Sequence, residues 1–422
     1  MRAATFREVF AVPEFRPLFG TFLLSTIGDE LARVALTVLV YARTSSPLLS
    51  AATFAISYLP WLMGGPLLSV LADRLPRHRV LVGTDVARAV LVALMAIPGT
   101  PLPVLLALLF LVALCGPPFE SARSALMADV LEGDRYAVAT SLSGISLQLA
   151  QVVGFLLAGA LVAVFSPSAA LLFDAVTFAV SALWLSARLQ RRPAPMADAG
   201  EGPRTLWQAT GDGVRLIRRT PRLLAIIGVL WVATLFAYAS EGIATPLVEE
   251  LGQGTTAVGV FLAANPLGVT IGGLVIARLV PPHRRETLVP YLVVLSLVPL
   301  LLAGLLATVA GPGGTSFALV IALMFLSGLG AAWQIPLNVS FVQAVPQAYR
   351  GRAFGVAVSG LYGVQALGIL AAGLVAEGLP PSGVVALSGG VGLVAVVLPL
   401  LAYLRTQGSV AGERAAAGRS VP

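Results

Sequence analysis

The chain contains no lysine: all 27 of its basic residues, among 422 residues, are arginines. A phosphate-binding loop of the Gly-x-x-x-x-Gly-Lys type requires its lysine, so such a site is excluded, and with it ATP-driven work by this chain alone. The single cysteine, Cys115, excludes an intramolecular disulfide. The two histidines, His78 and His283, are too isolated in the sequence to form a metal site, and no cofactor is expected.

Charged residues are scarce as well. They make up 11% of the chain against 57% apolar residues, and the mean hydropathy is +0.91. Soluble domains carry about 25% charge, so the composition excludes a soluble protein and indicates a membrane protein. The net charge of +7 then reflects membrane topology, and no nucleic-acid partner is expected.

Twelve segments are long and apolar enough to cross a bilayer, which takes ~20 residues. They are longer than the alternating segments of a transmembrane β-barrel, so we predict an all-α membrane protein. Residues 1–17 are polar and the first span carries charges at its centre, so no signal peptide is expected. The predicted spans, numbered one to twelve, are 18–42, 48–71, 80–97, 103–126, 137–164, 168–187, 223–247, 256–279, 287–308, 316–342, 353–376 and 383–404.

The arginines predict the orientation of these spans. With the N-terminus in the cytoplasm, 24 of the 27 arginines fall in cytoplasmic segments, counting Arg123 and Arg278 at the cytoplasmic ends of spans four and eight. Arg33 and Arg88 lie within spans, and Arg43 alone lies outside. This is the asymmetry that the positive-inside rule describes. We therefore expect a multi-pass protein of the cell membrane with both termini in the cytoplasm.

Two internal repeats indicate two homologous halves. The charged turn at residues 69–79, between spans two and three, has an echo at an offset of 204, again before a short basic loop. Residues 151–159 in span five match residues 365–373 in span eleven at an offset of 214. Six plus six spans in parallel repeat is a transporter plan. The predicted organisation is a cytoplasmic segment 1–17, a six-helix bundle 18–187, a cytoplasmic central loop 188–222, a six-helix bundle 223–404 and a cytoplasmic tail 405–422.

The turn after span two carries Asp73, Arg74, Arg77 and Arg79, with Ser69 and Pro76 at two positions of the same pattern. It resembles the loop motif of the major facilitator superfamily, Gly-x-x-x-Asp-Arg-x-Gly-Arg-Arg/Lys, with both glycines replaced. Three further features resemble the drug:proton antiporter branch, which includes macrolide, tetracycline and siderophore exporters. These features are Gly28-Asp29 in span one, Asp85 with Arg88 in span three, and Phe173-Asp174-Ala175 in span six. The resemblance covers nearly the whole chain. It implies twelve transmembrane helices in two pseudo-symmetric six-helix bundles.

The resemblance also implies that this turn is a latch that holds the halves in the outward-open state. In this interpretation Asp73 faces the positive N-terminus of span eleven, and Arg74 reaches Asp85. The alternative is that the arginines only fix the topology. In the second copy Ala277 replaces the aspartate, so a weaker latch or none is expected there. The predicted latch residues are Asp73, Arg74, Arg77, Arg79, Asp85 and Arg88.

Ionisable side chains inside spans are costly and are usually functional. Asp29, Glu30 and Arg33 lie near the centre of span one, at spacings of three and four residues that place Arg33 beside both carboxylates. Glu241 is the corresponding carboxylate of span seven, with no basic residue nearby in the sequence. We predict that these four residues couple transport to protons. The alternative is a neutralised structural cluster.

Other polar and aromatic residues are candidates for a central substrate cavity. Glu120 and Arg123 in span four either face the cavity or only pair with each other. The remaining candidates either line the cavity, hydrogen-bond between helices or anchor the membrane interface. They are Gln148, Gln151, Asn265, Gln334, Asn338, Gln365, Tyr58, Trp61, Phe236, Tyr238, Trp333 and Tyr362.

These features predict a secondary active transporter rather than an enzyme. We expect it to export hydrophobic or amphipathic small molecules, such as drugs and antibiotics, in exchange for protons by alternating access. Multidrug efflux and antibiotic resistance are the expected consequences. The alternatives are a siderophore exporter or a lysophospholipid flippase on the same scaffold, or a non-transporting membrane receptor or enzyme. The expected partners are a small-molecule substrate, protons and the lipid bilayer, and the chain is expected to act as a monomer.

Overall fold

The computed structural model describes residues 5–62, 75–193 and 206–417. Within these ranges the chain is helical, with three short 3-10 turns and no β-strand, which confirms the all-α prediction. Nine helical segments of the described chain are long and apolar enough to cross a membrane. They are Leu102–Val130, Asp134–Val164, Pro167–Arg188, Pro221–Glu241, Thr255–Leu279, Pro282–Ala310, Gly314–Ala344, Arg350–Val375 and Pro381–Gln407, and they correspond to spans four to twelve.

The first three predicted spans are also helical where they are described. Span one is the 30-residue helix Phe15–Thr44, whose central charges lower its hydropathy. Span two begins as Pro47–Ile56, and residues 63–71 of its predicted range lie outside the described residues. Span three is Arg77–Met95. Twelve spans are thus consistent with the described helices.

Four spans are interrupted near a proline. Span four divides into Leu102–Leu114 and Gly116–Val130, and span seven into Pro221–Ala237 and Ala244–Glu250 around a 3-10 turn. Span ten divides into Gly314–Ala331 and Gln334–Ala344, and span twelve into Pro381–Ala395 and Val397–Ala417. A proline ring clashes with the carbonyl four residues earlier. Pro118, Pro246, Pro336 and Pro399 each stand about four residues after one of these breaks.

Two shorter helices lie outside the spans, namely Phe6–Phe10 and Leu206–Arg219, and span nine begins with the short helix Pro282–Arg285. The second of the two helices outside the spans lies within the predicted cytoplasmic central loop, residues 188–222. It packs against the start of span eleven, where Asp212 pairs with Arg352 at 3.4 Å. Gly213 permits this approach, since a Cβ there would lie 2.8 Å from the Arg352 carbonyl oxygen.

The packing of the spans repeats between the two halves of the chain. Span one packs on spans five and six, and span three packs on span six. In the second half, span seven packs on spans eleven and twelve, and span nine packs on span twelve. The halves meet where span five contacts span eight and where span two contacts span eleven. The arrangement is therefore pseudo-symmetric.

Glycines set the distance between the halves. Spans five and eight cross at Gly159 and Gly259, where a Cβ on Gly159 would lie 3.0 Å from the Gly259 Cα. Spans two and eleven meet at Gly373, where a Cβ would lie 2.4 Å from the Ala51 Cβ. Buried side chains of both halves, such as Phe54 and Ile369, belong to one continuous apolar core. Small residues thus permit close backbone contact at both crossings.

Candidate functional site

A cavity of about 490 Å³ opens among spans one to five and reaches Tyr362 of span eleven. Its lining extends to Met127, Tyr136 and Thr140, near the ends of spans four and five where Arg135 lies. Pockets of about 300–1,000 Å³ accommodate drug-sized ligands. Ten residues singled out from the sequence line this cavity: Asp29, Glu30, Arg33, Tyr58, Trp61, Arg88, Glu120, Arg123, Gln151 and Tyr362.

A chain of polar contacts starts at span one and ends in the other half. Arg33 donates to the Glu30 carboxylate at 2.8 Å, and Gln151 donates to the same carboxylate at 3.3 Å. Arg33 also donates to the Tyr58 hydroxyl at 3.5 Å, and that hydroxyl donates to Glu241 at 3.3 Å. Two carboxylates on different halves are thereby joined through a guanidinium and a phenol. Glu241 does not line the cavity itself but is reached through Tyr58.

Aromatic side chains surround this chain of polar contacts and fix its geometry. The Arg33 guanidinium lies 5.4 Å from the Phe54 ring centroid and 5.2 Å from that of Tyr58. Tyr362 lies 5.9 Å from Tyr58 and 5.2 Å from Trp61, measured between ring centroids. Cation–π contacts and ring stacking each favour such arrangements, so side chains of both halves form one wall.

Span four contributes a separate ion pair. Arg123 donates from Nε and Nη2 to the two carboxylate oxygens of Glu120, at 2.9 and 2.7 Å. The Arg123 guanidinium also lies 4.1 Å from the Phe22 ring centroid. The two residues therefore pair with each other and also line the cavity, and a role in transport stays a prediction.

Behind the cavity wall lies a second group of ionisable residues, between spans one, three and six. Asp85 accepts a hydrogen bond from Ser181 and lies 3.9 Å from Arg88. Asp174 is fully buried and accepts from Thr177 at 3.1 Å. Gly28 makes room for it, because a Cβ there would overlap the Asp174 carboxylate.

The face formed by the loops after spans one, seven and eleven, called the outer face below, is closed by contacts between the halves. Glu377, beyond span eleven, accepts from the Ser46 hydroxyl at 2.5 Å and from the Leu48 amide at 3.0 Å. Ser50 donates to the Gly242 carbonyl at 3.3 Å. The two donors to Glu377 stabilise its charged form and hold the pKa of this carboxyl below its ordinary value of 4.5.

The family model described as "Major Facilitator Superfamily" matches residues 18–303 and 230–421. The chain belongs to the major facilitator superfamily. It is a transporter, as the resemblance of the loop motif implies, and the expected fold class is confirmed.

Relatives and solved structures of this family match most of the transporter. An "Uncharacterized MFS-type transporter YfiS" of Bacillus subtilis (strain 168) is 25% identical over 85% of this chain and 86% of its own. A "Putative bacilysin exporter BacE" of Bacillus amyloliquefaciens is 31% identical over 68% of this chain and 70% of its own. The peptide transporter POT superposes with a TM-score of 0.73 at 17% identity, covering 96% of both chains. The nucleoside transporter NupG superposes with a TM-score of 0.71 at 15% identity, covering 92% of this chain and 99% of its own.

The structure shows the contacts or the exposure of some of the predicted latch residues of the transporter. Arg77 donates to the Asp129 carboxylate and to the Ala125 carbonyl, both at the end of span four. Arg79 is exposed. Asp73 and Arg74 lie outside the described residues.

The other cavity candidates lie away from the cavity. Gln334 donates to the Tyr238 hydroxyl at 3.0 Å, so these two pair within the second half. Trp333 is fully buried in the core of that half. Gln365 is buried on span eleven and does not line the cavity. Gln148, Asn265, Asn338 and Phe236 lie on spans five, eight, ten and seven without lining the cavity.

Several residues that line the cavity or join distant segments of the transporter were not predicted from the sequence. Phe119 and Tyr136 line the cavity, and their positions in spans four and five were the only signal available. Asp129 and Glu377 form contacts to residues 52 and 331 positions away, which no local pattern indicates. Among the described residues, no group of three or more His, Cys, Asp or Glu side chains is placed to hold a metal ion.

Proposed function

We propose that this transporter exports amphipathic small molecules in exchange for protons. In this proposal the bundles 18–187 and 223–404 rock against each other in the cell membrane, with both termini in the cytoplasm, and one chain suffices for transport. The BacE relatives are named as exporters, which supports the outward direction.

The observation that carries the proposal is the contact chain from Glu30 through Arg33 and Tyr58 to Glu241. It connects two acidic groups, one in each half, across the interface that must open during alternating access. A hydrogen bond to a charged carboxylate is about twice as strong as one between neutral groups. Protonation of either carboxylate therefore weakens the link between the halves, and deprotonation restores it.

This coupling gives the proton control over the conformation. While the outer face is open, substrate leaves and Glu241 or Glu30 takes up a proton from the outer side. After the halves have rocked to the state in which the outer face is closed, the proton departs to the cytoplasm and the chain of contacts forms again. A conformational equilibrium shifts only by the difference in binding free energy between its two states, and here that difference comes from the proton.

Asp29 is the carboxylate through which substrate and proton compete in this proposal. It lines the cavity beside Glu30, so a positively charged substrate and a proton occupy the same group in turn. Exchange then needs no further coupling device.

Transport of ethidium in inverted membrane vesicles tests the proposal. Vesicles from an efflux-deficient host that contain the protein should accumulate ethidium when their interior is acidic, and a protonophore should abolish the accumulation. Vesicles without the protein supply the control. Accumulation that is the same with and without a pH gradient would overturn proton antiport and favour a uniporter or a lipid flippase.

A further inference from the structure

Two charged groups of the cavity have unused hydrogen-bonding capacity. The other four charged side chains of the lining form the two ion pairs described above. Asp29 and Arg88 differ, because neither makes a hydrogen bond within the described part of the chain, and the nearest ionic partner of Arg88 is Asp85 at 3.9 Å. Each of the two groups therefore retains hydrogen-bonding capacity for a ligand group of opposite charge.

Of the two groups, Arg88 is the one with a buried hydrogen-bond donor that lacks an acceptor. Its side chain is 4% exposed, and its Nε has no partner. A guanidinium offers five donors in a planar fork, and donors that are buried without acceptors cost free energy. The rings of Phe119 and Phe178, at 5.1 and 5.3 Å from the guanidinium carbon, hold the group in place. A carboxylate is the ligand group that satisfies such a fork, by two parallel hydrogen bonds.

The space beside this fork is left open by a glycine. A Cβ on Gly116 would lie 3.4 Å from Arg88 Nη2 and 3.4 Å from Trp61 Cζ2. The guanidinium and the indole therefore border the same gap. Trp61 in turn contacts Tyr362 of the other half at 5.2 Å between ring centroids. A flat apolar body attached to a bound carboxylate would pack on these two rings.

Asp29 supplies the opposite charge in the same cavity. Its carboxylate lines the same cavity as Arg88, yet the two side chains form no ion pair in the described structure. A carboxylate and a guanidinium that face one cavity without joining match a ligand that carries both an ammonium and a carboxylate. Such a ligand contacts both groups at once, whereas a simple cation or anion contacts only one of them.

We propose that the cavity binds an amphipathic zwitterion, with its ammonium on Asp29, its carboxylate on Arg88 and an aromatic body on Trp61 and Tyr362. This assignment of a substrate class rests on the proposed function, in which the cavity is the transport site. The cavity volume of about 490 Å³ is within the range for a ligand of this size.

Binding of the dipeptide Phe-Phe to the purified protein in detergent, measured by calorimetry at fixed pH without any gradient, tests the proposal. The matched ligands are its N-acetyl derivative, which lacks the ammonium, and its C-terminal amide, which lacks the carboxylate. In the wild-type protein each modification should raise Kd about tenfold or more, because a hydrogen-bonded charge is lost. In Asp29→Asn the penalty for N-acetylation should disappear while that for amidation remains. In Arg88→Gln the penalty for amidation should disappear while that for N-acetylation remains.

Control variants separate this pattern from a general loss of charge. Asp134→Asn and Arg43→Gln change exposed residues outside the cavity and should retain both penalties. Arg88→Lys retains the charge without the fork, so its amidation penalty should lie between those of the wild type and Arg88→Gln. It also serves if Arg88→Gln fails to fold. Equal affinity of the wild type for all three ligands, or penalties that persist unchanged in both cavity variants, would overturn the zwitterion assignment. Because no gradient is present, either result leaves the ethidium antiport experiment to decide the proposed function separately.

Discussion

A methyl group placed at Gly373 should force the outer face open. The Cβ of Gly373→Ala would lie 2.4 Å from the Ala51 Cβ and 3.1 Å from the Leu48 Cα, whereas carbon atoms rest about 3.5–4.0 Å apart. Ala51 and Leu48 belong to the other half, so the overlap exists only while the halves are closed. Overpacking a tight contact costs about 1–3 kcal/mol. The ratio of open to closed molecules should therefore rise about 5-fold to about 150-fold.

The same helix offers two matched controls. A Cβ on Gly368 would lie 2.0 Å from the Leu235 carbonyl oxygen, which is in the same half. Gly368→Ala should therefore lower the thermal stability without changing the ratio of the two conformers. Gly355 has nothing within 4 Å of its Cβ position, so Gly355→Ala should change neither quantity.

Spin-label distance measurements between residue 97, which follows the span-three helix, and residue 315, near the start of the span-ten helix, report the opening of the outer face. The labels are attached to cysteines at Ile97 and Thr315 in a Cys115→Ser background. Gly373→Ala should increase the population with the longer distance, and Gly368→Ala should not. If Gly373→Ala has the wild-type distance distribution, or if both variants shift it equally, the contact between spans two and eleven does not control the opening.

Three further outcomes follow from the structure. Tyr58→Phe removes the hydroxyl that joins Arg33 to Glu241 without changing any charge. Gradient-driven transport in proteoliposomes should therefore fall about tenfold, while downhill exchange persists. An unchanged rate of gradient-driven transport would show that the hydroxyl does not contribute to coupling. Because the pKa of Glu377 is lowered, its contacts stabilise the closed outer face above pH 4.5 and lose this effect as the pH falls below that value. The spin-label distances of the wild type should therefore lengthen on acidification, and Glu377→Gln should abolish this pH response. Glu250→Gln, which removes a similar contact to Ser382 within one half, should leave the response intact. Maleimide labelling of intact cells should reach a cysteine at Ser45 but not one at Gly211, and labelling of both from one side would refute the topology.

The fold followed from the sequence because it depends on average properties. Long apolar segments, the distribution of arginines and two internal repeats do not require knowledge of any side-chain contact. Each interruption of spans four, seven, ten and twelve has a proline close to it in the sequence, namely Pro118, Pro246, Pro336 and Pro399. Pro266 and Pro299, by contrast, lie inside unbroken helices. Neighbouring helices decide which prolines interrupt a span, and the sequence does not show them.

The site was only partly predictable, for a related reason. Carboxylates and arginines inside spans are conspicuous because they are costly there, and Asp29, Glu30 and Arg33 were found in this way. The contact between Tyr58 and Glu241 joins residues 183 positions apart, and it depends on how the two halves meet. Trp333 had the same aromatic character as Trp61, yet it lies in the core of the second half. Helix rotation separates these cases, and composition alone does not encode it.

The central claim is that protons drive transport through the chain of polar contacts that joins the two halves. It is tested by neutralising the carboxylates one at a time and measuring transport in proteoliposomes. The variants are Asp29→Asn, Glu30→Gln and Glu241→Gln, and ethidium movement is measured both with an imposed pH gradient and down its own gradient. Glu30→Gln and Glu241→Gln should lose gradient-driven transport and retain downhill exchange, because the carrier of the proton is gone while the substrate route remains. Asp29→Asn should lose gradient-driven transport and also slow downhill exchange, because Asp29 binds the cationic substrate as well. Full gradient-driven transport in all three variants would contradict proton coupling through these residues.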